Sequence, residues 1–144
     1  MREYPTEQDI LNAPVEFRKE TIEAVHAWKS TNYKGWKGKD TEQKKNAIGS
    51  LIRDLAIVYK DKIPIPYIKE SEFSRCEKHA DGMSTIYLDP TKISIVTAMH
   101  EFAHHLYGES EFKACRWSVW LFKTCFPLEY KTLYFRGHLL VKRV

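Results

Sequence analysis

The chain has 144 residues, 43% of them hydrophobic, which suits one domain around one modest core and leaves too little for two. Charged residues at 29% and aromatics at 13% exclude a disordered or low-complexity chain, and a net charge of +4 permits anionic partners without demanding one. The longest strongly apolar runs, such as residues 55–59, fall far short of the ~20 that span a bilayer. Residues 1–7 lack the apolar stretch of a secretory leader, and Cys76, Cys115 and Cys125 form no paired framework. We therefore expect reduced thiols, no membrane partner and a cytoplasmic protein.

Residues 14–30 place Phe17, Ile22, Val25 and Trp28 at helical intervals, with Pro14 suited to a first turn. A basic, glycine-containing loop follows over 31–39. Asp40 or Thr41 caps a second helix carrying Ile48, Leu51, Ile52, Leu55 and the Ile57-Val58 pair down one side. Together they predict a helical scaffold over 14–60. From Ile63 the texture changes. Ile63-Pro-Ile-Pro-Tyr-Ile68 is β-prone, but its prolines confine it to an edge or an extended segment. Asp81-Gly82 signals a turn, and Ser84 to Asp89 reads as a short strand. Asp89-Pro90-Thr91 then opens a helix that runs to Tyr107 and stops at Gly108. Ser110 caps another through Phe122, Phe126-Pro127 breaks it, and an amphipathic helical segment from Leu128 to Leu140 leads into a basic tail. Helices, a small sheet, then helices make a single α+β domain over 1–144.

One motif within that frame carries chemistry. Residues 100–104 read His100-Glu101-Phe102-Ala103-His104. Positions i and i+4 share a helix face, so both imidazoles reach one divalent ion, and Glu101, about 100° around, stands beside it as a proton acceptor. Such a match also arises by chance, and a buried structural histidine pair is the plain rival. Burying two histidines beside a glutamate without an ion or hydrogen-bond partners is expensive, which weighs against that rival. A hydrolytic zinc site needs a third protein ligand and an open position. Gly108 permits a sharp reversal, and two carboxylates follow it. Glu109 lies in the turn; Glu111 begins the next helix, where the small Ala114 and Cys115 allow close packing. We favour Glu111 and expect Glu109 to hydrogen-bond a ligand histidine from outside.

His100-Glu101-x-x-His104 followed by Glu111-x-x-Ala114-x-x-Trp117 resembles the gluzincin metallopeptidases. Within them it is similar to the small ImmA/IrrE-like and minigluzincin types, whose third-ligand helix carries Glu-x-x-Ala before an aromatic. The metzincin pattern fits less well: Gly108 comes a residue late, and Glu111 stands where a histidine belongs. The resemblance covers about residues 63–123 and leaves 14–60 unexplained. It implies a zincin-like catalytic core over 63–123, with a small sheet, an active-site helix and a third-ligand helix. One Zn2+ on His100, His104 and Glu111, Glu101 as general base and acid, and a peptide or protein substrate follow from it. It also implies a rim strand that pairs with an extended peptide, a place Ser84 to Asp89 fills by position. Oxyanion stabilisation needs a further donor, for which Tyr107, Tyr134 and His138 are candidates. Some minimal gluzincins are kept latent by a segment of their own chain, and the tail through His138 is a candidate for that role.

Weaker signals have plainer readings. The interleaved aromatics and lysines of Tyr33-Lys-Gly-Trp36-Lys-Gly-Lys39 and Lys44-Lys45 suit weak nucleic-acid contact through the Lys34–Lys45 region, though a solvated loop explains them as well. Cys76-x-x-His79 lacks a partner pair, so no second metal site is expected. His105 points about 100° away from the ligands and reads as a packing or surface histidine. Two rivals to a peptidase remain: a zincin-fold regulatory or binding protein, of repressor-targeting or toxin–antitoxin type, and a nucleic-acid-binding module.

Overall fold

The computed structural model describes residues 4–70, 74–91, 93–136 and 139–142. Thr6 and Asp9 cap each other reciprocally, Asp9 N donating to Thr6 Oγ1 at 3.1 Å and Thr6 N to the Asp9 carboxylate at 3.0 Å. They start a short helix α1 (Glu7–Leu11) that the sequence patterning did not announce. The predicted helix over 14–30 is shorter: α2 spans Lys19–Trp28, and Arg18 is extended. Arg116 is the reason, because its guanidinium takes the carbonyls of Ala13 and Pro14 at 2.6 and 2.7 Å and holds that stretch out of a helix. Past Trp28 the chain continues into a π-type turn over Lys29–Tyr33.

Asp40 caps α3 (Thr41–Val58) through a second capping box with Gln43. Ile48, Leu51, Ile52 and Leu55 point into the core as expected, but Ile57 lies on the opposite face and is 62% exposed. The aromatics of the basic loop are packed rather than free. Tyr33 stacks on Trp36 at 6.4 Å and meets Phe126 edge-on at 5.2 Å, while Trp36 meets Trp28 at 6.3 Å with Lys44 above it. The Trp28 indole, fully buried, donates to Ala47 O at 2.7 Å, so its one polar atom is satisfied inside the core.

The sheet comprises β1 (Ile65–Ile68), β2 (Arg75–Lys78) and β3 (Ser84–Leu88) in the order β1-β3-β2. β3 runs parallel to β1, with Ile65 opposite Thr85, and antiparallel to β2, with Cys76 opposite Ile86. Ser84, Ile86 and Leu88 are buried on one face, as a period of two requires. This corrects one expectation. Residues 84–88 form the central strand, paired on both sides, so they offer no free edge to a peptide; the edges belong to β1 and β2, and β2 lies against the helix that follows.

That helix, α4 (Ile95–Tyr107), starts later than Asp89-Pro90 suggests. Asp89 is buried and accepts from the Thr91 hydroxyl at 2.6 Å, while Ser94 receives Thr97 N at 3.1 Å and is the true cap. Ser110 caps α5 (Glu111–Cys125), and Pro127 opens the single turn α6 (Pro127–Tyr130). Beyond α6 the helix predicted through Leu140 does not continue. The chain there forms an antiparallel pair, β4 (Leu133–Arg136) with β5 (Leu139–Lys142). Leu133 and Phe135 pack against neighbouring hydrophobic clusters and Tyr134 faces out, an alternation that belongs to a strand. Helices α2 to α5 and the inner face of the sheet enclose a core centred on Trp28, Leu51, Leu88, Met99, Phe102 and Leu121. Each such side chain contributes about 1.5–3 kcal/mol by leaving water. Among the described residues, no helix is long and apolar enough to cross a membrane.

Candidate metal centre

Helix α4 divides its residues between two jobs. Ala98, Met99, Phe102 and Ala103 are buried, fixing the helix on the core, and this leaves His100 and His104, four apart, on one partly open face. Gly108 then turns the chain. Its φ of 87° and ψ of −152° fall in a region essentially restricted to glycine. The reversal sends α5 back along α4, where the buried Ala114 and Cys115 bring Glu111 over the histidines.

The result is a tight triangle of three side chains. Glu111 Oε2 lies 3.1 Å from His100 Nε2, Glu111 Oε1 lies 3.0 Å from His104 Nε2, and the two Nε2 atoms are 3.2 Å apart. Nitrogen and oxygen ligands sit about 2.0–2.1 Å from zinc in a tetrahedron, which separates any two by about 3.3 Å (2.05 Å multiplied by 1.63). The two nitrogens, each facing its own Glu111 oxygen, have about that spacing, so this donor set could hold one small divalent cation. The protons agree. His104 Nδ1 donates to the Gly108 carbonyl at 2.7 Å, so in the neutral ring Nε2 carries a lone pair. His100 Nδ1 faces Cys115 Sγ at 3.8 Å. A proton on Nε2 lets either ring donate to the Glu111 carboxylate, and moving it to Nδ1 leaves the nitrogens and the carboxylate able to hold a cation.

Electrostatics follow that geometry. Burial opposes a charged His104, but its hydrogen bonds to Glu111 and the Gly108 carbonyl outweigh burial and raise its pKa. Burial likewise works against an ionised Glu111, yet hydrogen bonds from His100 and His104 hold its carboxyl well below the usual range. The His100, His104 and Glu111 side chains keep 17%, 13% and 9% of their exposure, so one side of the triangle remains reachable from solvent. Glu101 is buried beside it, Oε1 standing 4.0 Å from His100 Nε2.

The remaining expectations divide. Glu109 is exposed in the turn, and the histidine Nδ1 atoms turn to Gly108 and Cys115, so it neither joins the triangle nor supports it from outside. Tyr107 faces Tyr59 and Trp117, and Trp117 packs on Phe102, on the opposite side of α4 from His100 and His104. Tyr134 is 37% exposed on β4, and His138 lies outside the described residues. Tyr107 is thus turned away from the triangle. His105 is a packing histidine, fully buried, its Nδ1 2.6 Å from Ser84 Oγ and its Nε2 2.9 Å from the Lys62 carbonyl. His79 Nε2 lies 2.9 Å from Thr85 Oγ1.

Cys115, read from sequence only as a small residue that allows close packing, also faces a candidate ligand ring. Its place one helical turn after Glu111 was the available signal. His100, Glu111 and Cys115 offer ligand atoms within 4.8 Å of one another, as do His100, Glu101 and His104, with the sulfur on the Nδ1 side of the His100 ring and Glu111 on the Nε2 side. Burial, with the charges of Glu111 and Glu101, pushes its thiol up to about 12, so it stays protonated at neutral pH. Burial also lifts Cys76 and Cys125 to about 11, and all three cysteines are unpaired.

Comparison with protein-family models, curated proteins and solved structures finds no match for the chain. The geometry of the site therefore stands alone as evidence of its chemistry.

Proposed function

We propose that the chain is a zinc-dependent peptidase of gluzincin type in which His100, His104 and Glu111 hold the ion and Glu101 moves the protons. One observation carries the reading: the two imidazole Nε2 atoms and the two Glu111 carboxylate oxygens, from two adjoining helices, meet at 3.0–3.2 Å. Zinc bound there supplies a Lewis acid that polarises a carbonyl and lowers the pKa of water. Glu101, buried and adjacent, takes the proton of the attacking water and passes it to the leaving amine. Strand β2, an edge strand among the described residues and set against α4, is where an extended peptide could add by backbone pairing. Three unpaired cysteines suit a reducing compartment, which supports a cytoplasmic location.

Metal analysis of purified protein tests the centre, and one zinc per chain is expected for the wild type and none for His104→Ala. Glu101→Gln tests the chemistry. Hydrolysis of a mixed peptide library should fall by about 10²–10⁴-fold with zinc retained. A wild type without metal, or a Glu101→Gln variant as active as wild type, would refute the reading. A zinc-loaded wild type that cleaves no peptide would instead favour the regulatory or binding protein.

A further inference from the structure

The two histidines differ in how their outer nitrogens are held. His104 has a backbone carbonyl, 2.7 Å from Nδ1, which no substitution can remove outright. His100 has a side chain: among the described residues, the atom facing its Nδ1 is Cys115 Sγ, at 3.8 Å. Resting on the zinc reading above, we propose that Cys115 is a positioning residue, its sulfur accepting the Nδ1 proton of His100 and so presenting Nε2 to the metal.

Three observations support this. His100 Nε2 faces a Glu111 oxygen at 3.1 Å and the His104 nitrogen at 3.2 Å, so when a metal occupies Nε2 the one proton of the neutral ring sits on Nδ1, where the sulfur faces it. The sulfur is fixed in place, since Cys115 is 2% exposed and packs with Ile10 and Val119, with Phe135 against the same cluster. The spacing completes the device. Cys115 follows Glu111 by four residues, so one face of α5 delivers both the carboxylate for Nε2 and the acceptor for Nδ1. Sulfur is a weak acceptor, and 3.8 Å is a long contact, so the effect should lie at the low end of the 10–100-fold range of such outer partners.

Two variants separate this role from packing. Cys115→Val fills the space but offers no lone pair; Cys115→Ser keeps an acceptor. Zinc affinity by competition with a chelator should weaken about tenfold in Cys115→Val and stay within about threefold of wild type in Cys115→Ser. A second measurement needs no activity. Nitrogen NMR of the zinc-loaded wild type should show His100 bound through Nε2 with its proton on Nδ1, and Cys115→Val should shift that Nδ1–H resonance. Equal zinc affinity in wild type and Cys115→Val, or a zinc-loaded His100 bound through Nδ1, overturns the role of Cys115. A wild type that takes up no zinc sinks the metalloprotein reading itself, whereas equal affinities in two zinc-loaded proteins sink only the contact.

Discussion

A neutral imidazole has one proton to place, and at His104 the Gly108 carbonyl takes it, leaving Nε2 bare toward Glu111. Without metal the same contacts become a charge pair. The His104 pKa is raised above its ordinary 6.5, so its contribution to stability is complete below that value and disappears as pH climbs through the raised one. Glu111 is depressed below its ordinary 4.5, so its contribution is complete above that value and disappears as pH falls toward the lowered one. Metal-free protein should therefore be most stable between 4.5 and 6.5 and weaken on the alkaline side, where zinc, which needs a bare Nε2, restores it. Melting temperatures of chelator-treated and zinc-loaded protein across the pH scale check this; identical pH profiles would contradict it. At this scale the sequence was legible where spacing is local. His100 and His104 share a face because they are four apart on a helix that core residues fix. The choice between Glu109 and Glu111 was less legible, since it depends on the path taken at Gly108. The contact of Cys115 with a ligand ring was hidden, since it depends on how closely two helices approach.

Elements were legible where a local cap or breaker decides them. Asp40, Ser110 and Gly108 fall at boundaries read from sequence. Boundaries set by distant partners were not: Arg116 holds residues 13–14 from a hundred residues away, and the cluster around Ile10 and Val119 receives Phe135 and turns an expected helix into a strand. The turn between α4 and α5 yields a prediction. A Cβ at Gly108 would meet nothing within 4 Å, so Gly108→Ala is penalised by backbone conformation alone, at about 1–3 kcal/mol. Relief of that strain would swing the carbonyl away from His104 Nδ1. Chemical denaturation should show the loss of stability, and chelator competition a weaker zinc affinity; an unchanged pair of values would show that the turn does not govern the site.

For the molecule as a whole, the centre joins α4 to α5, and both helices help to enclose the single core. Bound zinc should thus stabilise the fold. At a hundred times its dissociation constant, zinc should add about 2.7 kcal/mol. In a domain of this size that corresponds to roughly 8 °C in melting temperature. Glu101→Gln should show the same shift and His104→Ala none, as scanning calorimetry can measure. The order of the sheet has a consequence in time. β3 joins strands that do not touch each other, one of them paired across a five-residue turn from His79 to Met83 and the other drawn from twenty residues back, with Ile65 opposite Thr85. Closing the near loop sacrifices little chain freedom, so the hairpin should form first and capture β1 afterwards. Gly82, held at a φ of 85° in that turn, would then be a nucleus residue. Gly82→Ala should slow refolding in proportion to the stability it removes, while a disruptive change in β1 should chiefly hasten unfolding.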